Sequence, residues 1–183
     1  MFRSAVTDSL CWFPADTPPS PLRDDEHTWL LDDGSLTRRL TALADGRFRV
    51  QPLAEGWQPL RADECTALGV PPGSEGWVRE VYLLGDEQPW VFARSVAAKA
   101  ALLAGDIPLQ ELGTRSLGEL LFSDPAFSRG DMQLCRYPAE RMPEAVREPG
   151  LWARRSAFVR GPLAVLVAEI FLPAFWRKVA GPA

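Results

Sequence analysis

The chain has 183 residues, 46% of them hydrophobic, which is enough for one domain with a hydrophobic core and too apolar for general disorder. A formal net charge of −4 argues against nucleic acid as a partner. The three cysteines, Cys11, Cys65 and Cys135, are far apart, and His27 is the single histidine. These residues are poorly suited to a zinc site or a Ser-His-Asp arrangement, so we expect no metal.

Neither the start of the chain nor its most apolar tract is typical of an exported or membrane protein. The opening run MFRSAVTDSLCWFPAD lacks the uninterrupted apolar core of a signal peptide. The tract from Leu163 to Phe175 is shorter than the roughly 20 residues that span a bilayer, and it contains Glu169 and Pro173. We expect a cytoplasmic monomer with no integral membrane segment.

The first third of the chain predicts two helices and an edge strand. After a proline-rich lead-in over residues 1–24, a short helix fits residues 25–31. A second helix begins after Ser35, which is placed as its N-cap, with Leu36, Leu40 and Leu43 at helical spacing. Residues 47–53 resemble an irregular edge strand because Pro52 cannot donate a ladder hydrogen bond. Residues 61–76 read as a loop.

The run WVREVYLLGDEQPWVFARSV, residues 77–96, predicts a β-hairpin because β-branched and aromatic residues flank a Gly-Asp turn. With a turn over residues 85–88, Leu84 faces Pro89 and Arg79 faces Arg94. Like charges directly across a strand pair destabilise a sheet. An anion bound between the two arginines would relieve this repulsion.

The following segment predicts mainly short helices. Residues 97–104 are alanine-rich, residues 109–112 form one helical turn, and Ser116 to Glu119 read as a capping box that opens a helix through Phe122. Residues 126–137 include a strand, and residues 138–150 form a charged surface loop.

A second hairpin is predicted from residues 152–160 and 163–172 around Gly161-Pro162, and its register places Glu169 opposite Arg154. The neighbours of Glu169 are apolar on both strand faces, so the strand is buried and a carboxylate there is costly unless it is paired or protonated. Two interpretations stay open: a structural Glu169–Arg154 pair, or an acid that faces a ligand. Hairpins with inserted helices predict an α+β domain over residues 25–176, with helices on one face of an antiparallel sheet and a tail at 177–183.

These features together describe a small ligand. The first helical turns after Ser35 and Ser116 offer free backbone N–H groups that attract carboxylates. Arg79 and Arg94 supply positive charge, and Glu169 accepts a hydroxyl. The predicted ligand therefore carries one or more carboxylates and a hydroxyl group.

Several runs resemble the chorismate pyruvate-lyase family. They are WVREVYLLGDEQPWVFARSV, LQELGTRSLGELLF, GLWARRSAFVRG and AEIFLP, with a looser match at TWLLDDGSLTRRL, and they extend from about Thr28 to Pro173. Residues 44–74 match poorly, and the loop 136–149 is longer than usual. The resemblance implies a ligand enclosed beneath helical flaps. It also implies conversion of chorismate to 4-hydroxybenzoate and pyruvate, the first committed step of ubiquinone synthesis, without a cofactor.

The resemblance also assigns roles to individual residues. Arg79 of the W-x-R-E run and Glu169 of the E-x-F-L-P run are the catalytic candidates. Arg79 would bind the ring carboxylate, helped by the backbone amides of Leu117 and of Leu36, where the family often has methionine. Glu169 would bind the C4 hydroxyl. Arg94 is not part of the resemblance; it is our candidate for the enolpyruvyl carboxylate, because the two facing arginines would then share the dianion. The alternatives are a non-catalytic effector-binding domain of the same fold, and an enzyme acting on another enolpyruvyl ether or on a hydroxybenzoate.

Overall fold

The computed structural model describes residues 10–181, which form an antiparallel sheet with helices packed on it. The strands of this part of the chain are β1 (Phe13–Pro14), β2 (Phe48–Pro59), β3 (Glu75–Gly85), β4 (Gln88–Ala98), β5 (Ser128–Arg129), β6 (Gln133–Tyr137), β7 (Leu151–Arg160) and β8 (Leu163–Phe171). Their order across the sheet is β1-β6-β7-β8-β4-β3-β2, and β5 pairs with the free end of β7. The α+β prediction is confirmed.

The helices agree with the sequence pattern at the start of the chain and in its middle. They are α1 (Asp24–Leu30), α2 (Leu36–Leu43), α3 (Ala62–Leu68), α4 (Lys99–Ala104), α5 (Leu117–Ser123) and α6 (Pro173–Ala180), with single 3-10 turns at Leu109–Glu111, Ala139–Arg141 and Glu144–Val146. The predicted N-caps are confirmed: Ser35 Oγ accepts a hydrogen bond from the Arg38 amide, and Ser116 Oγ accepts one from the Glu119 amide.

Two helices occur where the sequence did not predict them. The loop expected over residues 61–76 contains α3, which begins where the Arg61 amide donates to Glu64 Oε2 at 2.9 Å and ends at Gly69 in the left-handed conformation. Helix α6 was not predicted; it starts with Pro173 in its first turn, where a missing N–H costs nothing.

The β3–β4 hairpin contains a bulge that changes its register. Near the turn the prediction is right, because Leu84 pairs with Pro89 across the two-residue turn Asp86-Glu87, in which both residues have positive φ. The pairing then shifts by one residue, so that Leu83 pairs with Val91 and Trp90 is the extra residue of β4.

The bulge places Arg79 and Arg94 on opposite faces of the sheet. Arg79 pairs with Ser95, and Arg94 pairs with Glu80. Because side chains alternate between the faces, neighbouring positions on one strand point apart. The predicted Arg79–Arg94 pairing is therefore wrong.

The physical reason for the bulge is the burial of Trp90. Its side chain is 2% exposed and packs against Phe175 of α6, with 6.4 Å between the ring centroids. The ring also covers Gly85, where an added Cβ would lie 2.3 Å from it, so this position requires glycine. The Leu172 amide donates to the Trp90 carbonyl at 2.9 Å, which fixes the bulged backbone.

The β7–β8 hairpin has the predicted register, with Arg154 paired to Glu169. Strand β8 also pairs with β4, so that Glu169 lies beside Ala93, and Val167 lies beside Ser95. Following these pairs across the sheet places Arg79, Ser95 and Glu169 on one face, which we call the site face.

Each face of the sheet carries two apolar clusters separated by polar residues. Helices α1, α2, α5 and α6 pack on the site face, whereas α3 packs on the opposite face. Helices therefore cover both faces, and the expectation that they lie on one face is wrong. Between residues 10 and 181, no helix is long and apolar enough to cross a membrane.

Candidate functional site

Polar side chains cross the site face as a belt between its two apolar clusters. Strands β3, β4, β8 and β7 contribute the belt residues, which are Arg79, Ser95, Glu169, Arg154 and Ser156. From the strand spacing of about 4.8 Å and the rise of about 3.3 Å per residue, the Cα atoms of Arg79 and Glu169 lie about 12 Å apart. That separation leaves room for one six-membered ring between the two side chains.

Arg79 is 3% exposed, and its guanidinium is held by β2 and by the segment that precedes α5. Nη1 donates to Glu55 of β2, and Nη2 donates to the carbonyls of Gly113 at 2.8 Å and Arg115 at 3.0 Å. Burial lowers the pKa of Arg79, and the Glu55 carboxylate opposes that shift. The Nε–H has no acceptor among residues 10–181, so a donor is available to a ligand.

Glu169 is both an ion-pair partner and a cavity residue. Arg154 Nε donates to its Oε2 at 2.6 Å, and Nη1 of the same arginine donates to the carbonyls of Trp29 at 3.0 Å and Asp32 at 2.8 Å. Arg154 is 1% exposed, whereas the Glu169 side chain keeps 15% exposure and lines a cavity. Its Oε1 has no donor within the described chain. Glu169 can therefore pair with Arg154 through Oε2 and also face a ligand through Oε1, so the two interpretations are compatible.

The starts of α2 and α5 meet above the belt. Thr37 Oγ1 and Ser116 Oγ share a hydrogen bond of 2.7 Å, which joins the two helices. Gly118 approaches Thr37 so closely that an added Cβ would lie 3.0 Å from the threonine oxygen. Leu36 and Leu117, the first residues of these helices, each line a cavity beneath them.

Two small cavities lie between the belt and these helices. One of about 10 Å³ is lined by Arg79, Ser95 and Leu117, and another of about 20 Å³ is lined by Leu36 and Glu169 among others. Pockets that hold small organic ligands are generally about 300–1,000 Å³. Neither cavity is large enough for such a ligand in this conformation.

Arg94 does not belong to this site. It lies on the opposite face, where Nε and Nη2 bind Glu64 at 2.6 and 3.1 Å and Nη1 binds Glu80 at 2.8 Å. Burial lowers the pKa of Arg94, but the hydrogen bonds to both carboxylates outweigh it and raise that pKa overall. These carboxylates neutralise the charge of Arg94, and the contact with Glu64 links α3 to the sheet. Arg94 therefore has a structural role, and the predicted contact between Arg94 and the enolpyruvyl carboxylate is corrected.

Sequence reasoning missed four side chains that line or support the site: Glu55, Thr37, Arg129 and Ser156. Ser156 could have been found, because it alternates with Arg154 on the site face of the predicted strand. Glu55 lies beyond the predicted end of β2, and Arg129 lies on a two-residue strand that has no periodic signal. No group of His, Cys, Asp and Glu in the described part of the chain could hold a metal ion.

Comparison with known proteins gives a consistent match. The profile of the family described as chorismate lyase matches residues 7–181. The chain is 69% identical over 150 residues to the "Probable chorismate pyruvate-lyase" of Pseudomonas aeruginosa, covering 82% of this chain and 84% of that protein. It is 57% identical over 169 residues to "Probable chorismate pyruvate-lyase 2" of Pseudomonas entomophila, covering 92% and 91%.

Solved structures of similar fold are more distant in sequence. The crystal structure of the PhnF C-terminal domain superposes with a TM-score of 0.55 at 15% identity, covering 68% of this chain and 82% of that one. PhnF from Mycobacterium smegmatis gives a TM-score of 0.51 at 12% identity, covering 79% and 66%. At these identities the likeness concerns the fold alone.

Proposed function

This chain belongs to the chorismate lyase family, and we propose that it converts chorismate to 4-hydroxybenzoate and pyruvate on the site face of its sheet. The observation that carries the proposal is the placement of Arg79 and Glu169 on one face, beneath the first residues of α2 and α5. The sequence resemblance assigns the ligand to these same positions, which lie on four separate elements of the fold.

Arg79 binds the ring carboxylate in this proposal. A guanidinium offers paired N–H donors that match a carboxylate, and burial strengthens the contact by excluding water. The Nε–H of Arg79, which has no acceptor within the described chain, is free for this contact, and Nη2 completes the pair when the substrate carboxylate replaces a carbonyl acceptor. Glu55 keeps the arginine oriented, and the carbonyls of Gly113 and Arg115 connect it to the segment before α5. The backbone amides of Leu36 and Leu117 add donors that have no partner within their own helices.

Glu169 accepts a hydrogen bond from the C4 hydroxyl, which lies para to the ring carboxylate. Oε2 is engaged by Arg154, so Oε1 takes the ligand. Two contacts at opposite ends of the ring fix its position along the belt. Orientation of this kind, in a site closed to water, lowers the barrier by holding the reacting bonds in a productive geometry.

The reaction needs only positioning and proton transfer. The C4–H bond and the C3–O bond break, the ring becomes aromatic, and the enolpyruvyl group leaves as pyruvate once its methylene carbon gains a proton. Aromatisation supplies the driving force, so no cofactor is required. The product 4-hydroxybenzoate is the precursor of the ubiquinone ring, and we assign the protein to that pathway.

Entry of chorismate requires opening of the cover. The hydrogen bond between Thr37 and Ser116 and the close contact at Gly118 hold α2 and α5 together. We propose that these helices separate as flaps to admit chorismate and close over it. The enclosed state then excludes water during the reaction.

A non-catalytic binding domain is the second reading of the fold. The likeness to PhnF supports the fold only, whereas the identity of 69% to a chorismate pyruvate-lyase homologue favours the enzyme. Purified protein mixed with chorismate should form 4-hydroxybenzoate, followed by its absorbance, and pyruvate, followed with lactate dehydrogenase, in equal amounts. Binding of chorismate without either product would refute the lyase and support the binding domain.

A further inference from the structure

Arg129 lies on the site face at the end of the belt opposite Arg79. It pairs with Phe158 of β7, and its side chain lines the same cavity as Glu169. Nε donates to Ser156 Oγ at 2.7 Å, and Nη1 donates to the Asp33 carbonyl at 2.8 Å. These bonds aim the guanidinium beneath the start of α2.

Arg129 makes no ion pair with a carboxylate among the described residues, although Glu169, Asp33 and Asp32 are close enough to favour its charge. Arg129 is half-buried. Fully buried arginines of the sheet are paired, for example Arg94 with Glu64 and Arg154 with Glu169. Arg129 has neutral partners instead: besides Ser156 and Asp33 it contacts the Gly34 carbonyl at 3.5 Å, Met132 Sδ at 3.6 Å and the rings of Phe122 and Phe158.

This arrangement favours an anion beside Arg129. Burial, and then repulsion by Arg154, lower the pKa of Arg129 and outweigh the attraction of Glu169, Asp33 and Asp32, so its environment disfavours the charged form. Its Nη2 group donates only to a thioether sulfur within the described chain, and sulfur is a weak acceptor. A carboxylate in the cavity would supply both the missing charge and a strong acceptor.

We propose that Arg129 binds the enolpyruvyl carboxylate of chorismate, the role that the sequence had suggested for Arg94. This inference rests on the proposed function. The enolpyruvyl ether is attached at C3, next to the carbon whose hydroxyl Glu169 binds, so its carboxylate lies within a few bonds of that contact. Arg129 and Glu169 line one cavity, and Arg154 is already committed to Glu169.

The proposed contact with Arg129 is made by the substrate and not by the ring product. When the C3–O bond breaks, its electron pair goes to the oxygen that becomes the carbonyl of pyruvate. The C4 hydrogen leaves as a proton, and the electrons of the C4–H bond form the ring double bond. A proton adds to the methylene carbon. No oxidant or reductant is needed. Arg129 orients the enolpyruvyl group for this step, and 4-hydroxybenzoate, which lacks that carboxylate, leaves without breaking a contact to Arg129.

The test compares substrate and product in one variant. Arg129→Gln should lower kcat/KM for chorismate by roughly ten- to a hundred-fold, the loss expected for one charged hydrogen-bonding contact, and should change the Kd of 4-hydroxybenzoate by less than about three-fold. Arg79→Gln should weaken both. Arg136→Gln is the matched control, because Arg136 stacks on Trp152 and bonds to Gly150 outside the cavity, and it should alter neither.

The outcomes separate this inference from the proposed function. Wild-type protein that forms no product from chorismate refutes the function itself. An active wild type with an Arg129→Gln variant of unchanged kcat/KM, or one equally weakened toward 4-hydroxybenzoate, refutes only the role of Arg129. If the Gln variant does not fold, Arg129→Lys supplies the same comparison, since it keeps the charge and loses the planar fork.

Discussion

Replacing Glu169 by glutamine tests the centre of the proposed site. The substitution keeps the shape of the side chain and an oxygen acceptor but removes the charge that faces Arg154, which is 1% exposed. Breaking a buried ion pair by removing one partner costs about 3–5 kcal/mol. Because the amide oxygen still accepts from Arg154, and Glu169 keeps 15% exposure, we expect a loss of about 2 kcal/mol.

The same variant should also lose activity. At about 2–4 °C per kcal/mol for a protein of this size, the melting temperature should fall by about 4–8 °C. A charged hydrogen bond of about 1.5–3 kcal/mol that acts in the transition state corresponds to a fall in kcat/KM of roughly ten- to a hundred-fold. The value of kcat/KM is measured well below the melting transition, where the variant is fully folded.

Glu80→Gln is the matched control for this experiment. Glu80 lies on the opposite face of the sheet, accepts from Arg94 Nη1 at 2.8 Å, and has no contact with the cavities of the site face. Glu80→Gln should lower the melting temperature only slightly, because Glu64 still pairs with Arg94. It should leave kcat/KM within about two-fold of the wild-type value. A Glu169→Gln variant that loses stability at unchanged kcat/KM would reduce Glu169 to a structural partner of Arg154.

Three further predictions concern the rest of the molecule. Arg79→Lys should retain the fold by circular dichroism but lose at least about ten-fold in kcat/KM, because an ammonium cannot reproduce the paired donors; near-normal turnover would exclude Arg79 as the carboxylate anchor. Burial raises the pKa of Asp63, but Arg141 and Arg155 outweigh it and hold that pKa below its ordinary value, so the ion pairs stabilise the fold above about pH 4 and are lost as the pH falls through the lowered pKa. Asp63→Asn should therefore unfold at lower urea than the wild type at pH 7, with a difference that shrinks toward pH 3; a constant difference would contradict the assignment. Turnover should survive dialysis against excess EDTA, and activity restored only by added divalent metal would overturn the metal-free mechanism.

Local sequence features predicted the parts of the fold that local physics determines. The capped starts of α2 and α5 follow from a serine followed by residues at helical spacing, and the β7–β8 register follows from a short turn with no irregularity. Helix α3 was missed because its sequence, ADECTAL, gives little amphipathic signal beside Pro71 and Pro72. Its position depends on Glu64 reaching Arg94, a contact between residues 30 apart in the chain.

The composition of the site was harder to predict because it depends on one bulge. Counting from the β3–β4 turn gives the right pairs as far as Leu84 and Pro89, and only the extra residue at Trp90 moves Arg94 to the other face. That bulge is stabilised by α6, through the contact of Trp90 with Phe175, and α6 was itself not predicted. A shift of one residue exchanges the two faces of a strand, so a distant packing contact decides which arginine meets the substrate. The second substrate carboxylate is then left to Arg129, which reaches the site face from a strand of two residues.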